Sequence, residues 1–213
     1  LALPFFIVAL VIECFIIFVV LPEEHRPVNR LRINDAINSL SLGMLFVLAN
    51  LVFFFAWSGP LYDWCFKHLR VTDAFVDGGK NSAATWWACL VLVDFFYYCW
   101  HRTSHKISWL WATHVVHHSS EEFNLSTALR QPFISWTPDA FISAFPLAIL
   151  GFPHVFFSVH VTFNLLWQYW LHTQLLPPMP WVEYVFNTPS LHRIHHGRNL
   201  LALGKNYGSI FSV

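Results

Sequence analysis

WHRTSHKISWLWATHVVHH, residues Trp100–His118, places five of the thirteen histidines within nineteen residues. They are spaced His101-x-x-x-His105 and His114-x-x-His117-His118, and His192-x-x-His195-His196 repeats the second spacing near the other end of the 213-residue chain. On a helix, residues three and four apart share a face, with Cβ atoms ~5–6 Å apart. Each box can therefore aim its imidazoles at one ion or at neighbouring ions. A single pair arises by chance in many helices, whereas three boxes, two of them identical in spacing, predict eight converging imidazoles, enough for two transition-metal ions. The competing reading is that histidines simply gather at a membrane surface. Cys14, Cys65, Cys89 and Cys99 form no C-x-x-C pair, so neither a zinc ribbon nor a thioredoxin-like motif is suggested. Imidazole without thiolate suits iron, copper or zinc.

Upstream, a run from Thr85 through WWACLVLVDFFYYCW feeds straight into His101. Trp86, Trp87, Tyr97, Tyr98 and Trp100 sit at its two ends, where aromatic belts are expected. Asp94 lies inside the run, seven residues and thus about two helical turns before His101, on the same face. A carboxylate in such a place is a functional hypothesis by default. Asp94 is expected either to accept a hydrogen bond from a ligand's spare ring N–H or from a tyrosine, or to serve packing alone.

The chain is 56 % hydrophobic, 18 % aromatic and only 11 % charged, which is too apolar for an ordinary soluble domain. The expected fold is all-α: a polytopic membrane helix bundle carrying a histidine-rich di-metal site on its cytosolic face, formed by one domain over residues 1–213. The sequence opens at Leu1 without Met, and a segment of a longer chain is expected. Residues 1–21, with Glu13 as the only charge, are long enough to cross a hydrocarbon core of ~30 Å. Leu40–Trp57 is a second span, closed by Ser58-Gly59-Pro60. A polar loop to about Ala84 follows, with a turn signal at Asp77-Gly78-Gly79.

Downstream of the second box, SSEEFNLSTALRQ is polar. Phe133–Phe152 is apolar but interrupted by Pro138, Asp139 and Pro146, so a kinked helix is expected. After a turn at Gly151-Phe152-Pro153, Val155–Leu176 returns as a second helix of a hairpin. His160, Asn164, Gln168 and His172 recur every four residues along it, a polar stripe that faces the bundle interior. At ~1.5 Å per residue, His160 and His172 differ in depth by roughly 18 Å. His172 is therefore the candidate ninth ligand or supporting donor, and His160 an interhelical hydrogen-bonding residue. His25, His68 and His154 fall in loops or at a turn and are expected to be solvated. Pro177, Pro178 and Pro180 break the chain before a short interfacial helix and the third box.

If the first three spans cross and the hairpin leaves and returns, parity puts all eight box histidines on one side. Nine of the twelve basic residues agree: Arg26, Arg30, Arg32, Arg102, Lys106, Arg130, Arg193, Arg198 and Lys205, against Lys67, Arg70 and Lys80 opposite. By the positive-inside rule that side is the cytosol. Two ions there suggest chemistry on a lipid, with iron the expected metal and an apolar tunnel between helices admitting an alkyl chain. Nucleic-acid binding has no support, since basic residues are not interleaved with stacking aromatics in a patch.

The three boxes resemble those of the fatty acid hydroxylase superfamily, which includes sterol desaturases and methyl-sterol oxidases. Within it, DFFYYCWHRTSH, WATHVVHHSSEEFNLSTALRQ, VHVTFNLLWQYWLHT and NTPSLHRIHHGRN are most similar to a branch of membrane monooxygenases that cleave ether lipids with O2 and tetrahydrobiopterin. The similarity runs from about Asn34 to Tyr207. It implies His101, His105, His114, His117, His118, His192, His195 and His196 as ligands of two irons. It further implies contacts to the pterin or lipid head group from the loop holding Glu121, Asn124, Arg130 and Gln131, and an endoplasmic reticulum membrane with the boxes toward the cytosol. Leu191 stands where the resemblance leads one to expect a further histidine, and Leu200–Gly204 lacks the aromatic and acidic residues expected before Lys205-Asn206-Tyr207-Gly208. No flavin motif or GxGxxG is present, so electrons must come from an external donor. Two alternatives stay open: a sterol or fatty acyl oxidase fed by a b-type cytochrome, and a metal-binding membrane protein without catalysis or an inactive fragment.

Overall fold

The computed structural model describes residues 3–25, 32–76, 82–134 and 139–213. Arg26, Arg30, Lys80, Pro138 and the turn signal at Asp77-Gly78-Gly79 lie outside the described residues. Within them the chain is helical, and its only β pairing is a single bridge between Phe186 and Phe211. The helices are α1 (Leu3–Phe15), α2 (Ile33–Phe53), α3 (Gly59–His68), α4 (Ser82–Lys106), α5 (Ser108–His114), α6 (Leu125–Ala128), α7 (Phe145–Ile149), α8 (His154–Trp170), α9 (Pro180–Glu183) and α10 (Pro189–His195).

Among the described residues, two helical stretches, Ile33–His68 and Ala83–Lys106, are long and apolar enough to cross a membrane. The first is 36 residues long and its most apolar window is only 6 % buried, so Met44, Val47, Leu48, Val52 and Phe55 present an unpartnered greasy face. Pro4–Val20 is shorter, 17 residues. It too exposes its apolar side chains, while Glu13 and Ile17 turn inward.

The expected end of the second span at Ser58-Gly59-Pro60 is not where the helix ends. A π-helical turn, Phe54–Ser58, joins α2 to α3, with the Gly59 N–H bonding to the Phe54 carbonyl five residues back. Proline lacks an N–H and its ring clashes with the carbonyl four residues earlier; widening the helix by one residue moves that carbonyl aside and lets the chain continue. The same device precedes Pro146, where Ala140–Ala144 is π-helical and the Phe145 N–H reaches the Ala140 carbonyl.

The hairpin that follows is the wedge of the bundle. Ala140, Ala144 and Ala148, spaced every four residues, pack with Phe145 against Tyr62 and Cys65 of α3. Leu147 and Phe152 fill the other side against Cys89 and Val93 of α4. Small residues allow this close approach, and Leu147, Ala148, Phe152 and Cys89 have no exposed surface. The hairpin tip meets the far loop, where the Val71 N–H bonds to the Ile149 carbonyl at 2.8 Å and Phe75 stacks on Phe152. The tip thus lies with Lys67 and Arg70, while α4 carries the chain to the opposite end and into His101 and His105. His154, expected to be solvated, instead pairs with Asp63 at 2.9 Å and stacks on Tyr62. His25 and His68 are exposed as expected.

The returning helix stops at Trp170 rather than Leu176. The His172 ring turns back onto the Gln168 carbonyl at 2.9 Å, and Thr173 is drawn to the buried Glu13 carboxylate at 2.6 Å. Those two contacts end the helix and carry His172 off the stripe toward the boxes.

Candidate metal centre

Nine histidines converge at the end of α4. Ligand-type nitrogens of His101, His105, His114, His118 and His195 lie within 4.8 Å of one another, and those of His117, His172, His192 and His196 form a second group by the same measure. The two groups touch: His118 stacks on His196 with ring centroids 4.3 Å apart.

The sorting follows from local geometry. In each H-x-x-H-H box the first and last histidines share a face and the middle one diverges. His114 and His118 serve the five-membered group while His117 joins the four-membered one. The third box does the reverse, giving His192 and His196 to the four and His195 to the five. The second box is not one helix, since α5 ends at His114 and His117–Ser119 is a 3-10 turn. The break tightens the chain without separating the rings, and the His114 and His118 Nε2 atoms lie 3.3 Å apart.

Four rings have their tautomer fixed by the backbone. A carbonyl can only accept, so a ring nitrogen facing one carries the proton and the other keeps the lone pair. His101 donates Nδ1–H to the Tyr207 carbonyl and His195 to that of Lys205, both at 3.0 Å. His117 donates to Arg130 at 3.1 Å and His172 to Gln168 at 2.9 Å. All four Nε2 lone pairs thus point inward. The Nε2 atoms of His101, His105, His195 and His196 are buried with no hydrogen-bond partner. Burial pushes His117 and His195 down to about 4. Burial together with neighbouring imidazoles holds His114, His118, His172, His192 and His196 well below the ordinary histidine value. The rings are neutral at pH 7, the form that binds metal. Orphaned, convergent, neutral nitrogens are the donor set of a metal centre, and these residues fit two ions.

Aromatic side chains close the groups from water. Trp111 packs on His105 and His118, with centroids 5.0 and 5.6 Å away, and Phe123 stacks on His172 at 5.6 Å.

The other expected site residues belong to neither histidine group. Asp94 meets no ring nitrogen in its hydrogen bonds; it accepts from the amide of Asn164 and from the backbone N–H groups of Ile210 and Phe211. Asn124 caps α6, accepting from the Ser126 N–H at 2.9 Å in a reciprocal box with Thr127. The Arg130 guanidinium is buried among Asp35, Ser39 and Ser119. Both are scaffold. Glu121 is exposed and pairs with Arg32. Gln131 lies beside the second group, its amide nitrogen 3.4 Å from His117 Nδ1. His160 is buried against Trp86, fifteen residues before His101 on α4, and belongs to neither group. Sequence reasoning missed Glu13: its carboxylate, 2 % exposed, accepts from the Leu125 N–H and from Thr173. A lone charge in an apolar run was the available signal.

An all-helical chain that gathers nine buried or half-buried imidazoles into two groups beside membrane-length helices is, by fold and site, a histidine-box protein. Residues 86–213 match the fatty acid hydroxylase family, and the chain belongs to that family. It is 42 % identical to alkylglycerol monooxygenase of Danio rerio and 38 % identical to that of Homo sapiens, in each case over the whole of this chain and 45 % of the relative. It is also 31 % identical to cholesterol 25-hydroxylase of Homo sapiens, over 51 % of this chain and 42 % of the relative. The chain spans less than half the length of the relatives it matches most fully. No solved structure matches it.

Proposed function

We propose that this chain is the catalytic part of a multi-pass membrane monooxygenase that holds two irons and hydroxylates a lipid C–H bond with O2. The single observation that carries the proposal is the pair of imidazole groups, five and four, formed from three boxes and His172. The apolar faces of α1, α2 and α4 support a bilayer location, and the crowding of Arg102, Lys106, Arg193, Arg198 and Lys205 into the elements around the boxes supports a cytosolic face; the endoplasmic reticulum as the membrane follows from the family resemblance.

His101, His105, His114, His118 and His195 would hold one iron, and His117, His172, His192 and His196 the other. Bound iron would supply the activation of O2 needed to attack an unactivated C–H bond. The chain's own contribution is to fix ring tautomers through backbone carbonyls and to exclude water with Trp111 and Phe123.

Identity to alkylglycerol monooxygenases over the full chain favours a glyceryl ether as substrate. One O2 atom enters the ether-bearing carbon, and the other leaves as water with two electrons and two protons from tetrahydrobiopterin. The resulting hemiacetal breaks its C–O bond to give an aldehyde and a glycerol derivative. Glu121 and Gln131 are read as the loop groups that meet the pterin or head group, a reading supported by the exposure of Glu121 and by the position of Gln131 beside His117. The shorter match to cholesterol 25-hydroxylase supports a second reading, a sterol or acyl hydroxylase with a b-type cytochrome donor.

The test is an aerobic assay in reconstituted membranes. Aldehyde release from a glyceryl ether that depends on tetrahydrobiopterin is the expected result; turnover of a sterol or acyl chain with a cytochrome donor, and none of the ether, would establish the second reading instead.

A further inference from the structure

The carbonyls that orient His195 and His101 come from one short segment. Lys205 and Tyr207 supply them, and both histidines belong to the five-membered group. The four-membered group takes its carbonyls elsewhere, from Arg130 and Gln168. The segment lies in no helix and its only β pairing is the single bridge from Phe211 to Phe186, and its backbone is unusual: Asn206 sits at φ 55, and a Cβ on Gly208 would lie 2.1 Å from the Phe211 carbonyl oxygen. Its hydrogen bonds are all to distant parts of the chain. Asn206 Nδ2 donates to the Leu191 carbonyl just before the third box, Asn187 Nδ2 to that of Gly208, and the Asn187 N–H to that of Ile210.

Phe211 also stacks on Phe186, and Asp94 adds a side-chain tie. It is 3 % exposed on α4, and its carboxylate accepts the Ile210 N–H at 2.7 Å and the Phe211 N–H at 3.4 Å. Asn164 donates to it from α8 and is in turn held by Gln168, which accepts from Tyr97. A buried carboxylate taking two backbone donors is a strong, directional tether.

We propose that Lys205–Phe211 is a strap that orients two ligands of the five-histidine group only, and that Asp94 is the positioning residue pinning it. The inference rests on the reading of both groups as metal sites. Loss of a ring's outer hydrogen bond weakens metal affinity by about 10–100-fold, so releasing the strap empties one site and spares the other. Asp94→Asn leaves an oxygen for one of the two backbone N–H groups and turns an NH2 donor against the other. Gly208→Ala strains the strap itself from a position remote from Asp94 in sequence.

The experiment loads the purified protein with cobalt(II) alone and counts ions per monodisperse chain across a titration. Wild type is expected to bind two, and each variant one at the concentration that saturates wild type. Adding His172→Ala to either variant removes the remaining ion, whereas adding His105→Ala leaves it. Either variant binding two ions with wild-type affinity overturns the strap and leaves the metal reading standing. So does loss of the four-histidine ion first, or failure of both variants to purify as monodisperse protein, which would make Asp94 a folding residue. Wild type binding no ion overturns both.

Discussion

The Nε2 atoms of His172 and His192 lie 3.0 Å apart, and His172 Nε2 is also 3.2 Å from that of His117. Because His172 and His117 each give their Nδ1 proton to a carbonyl, their facing nitrogens both carry lone pairs. Bare lone pairs at that distance repel, and a cation among them reverses the sign.

His172→Ala is therefore expected to reduce bound metal from two ions to one, although it stands outside all three boxes. His160→Ala, on the same sequence stripe but packed on Trp86, is expected to keep both. Metal analysis of the two purified variants checks this; equal loss from both would place the dependence in the whole stretch from His160 to His172.

His117→Ala should lose one ion and all turnover while the protein still fractionates with carbonate-washed membranes. His117 belongs only to the four-histidine group, and the apolar faces of α1, α2 and α4 do not involve it. Retention of two ions by this variant would count against the grouping.

Glu13→Ala is expected to destabilise the fold by about 1–3 kcal/mol, the effect of stranding buried donors. It strands the Leu125 N–H and the Thr173 hydroxyl, which sits next to His172. SDS titration of unfolding in mixed micelles reads the shift, and wild-type stability would mean that α1 is not fastened there.

Gly151→Ala tests the opposite end. Gly151 has φ 89, and a Cβ there would lie 2.3 Å from the Thr72 carbonyl oxygen, so a loss of about 1–3 kcal/mol is expected from backbone strain. Because the hairpin tip is remote from the boxes, the variant should still saturate with two ions at low temperature.

Eight of the nine converging imidazoles were legible in sequence because imidazole is chemically distinct and helix spacing is a fixed ruler: three boxes announce themselves wherever the chain goes. Their division between two groups was not, since it depends on how α5 breaks after His114 and how the third box faces it. The helix through Gly59-Pro60 was missed because a π turn hides the proline's clash, and residue preferences do not reveal such turns. Asp94 and Glu13 were visible as charges in apolar runs. Their partners, Ile210 and Leu125, are backbone N–H groups more than 100 residues away, and every non-proline residue has one, so nothing in the sequence marks which would be used.

The central claim is that nine imidazoles from this chain hold two irons. Iron content and X-ray absorption of protein purified from iron-replete cells test it most directly. The account predicts two irons per chain with nitrogen and oxygen ligation and no sulfur, since none of the four cysteines lies in either group. One iron or fewer at saturation, or a sulfur shell, would contradict it.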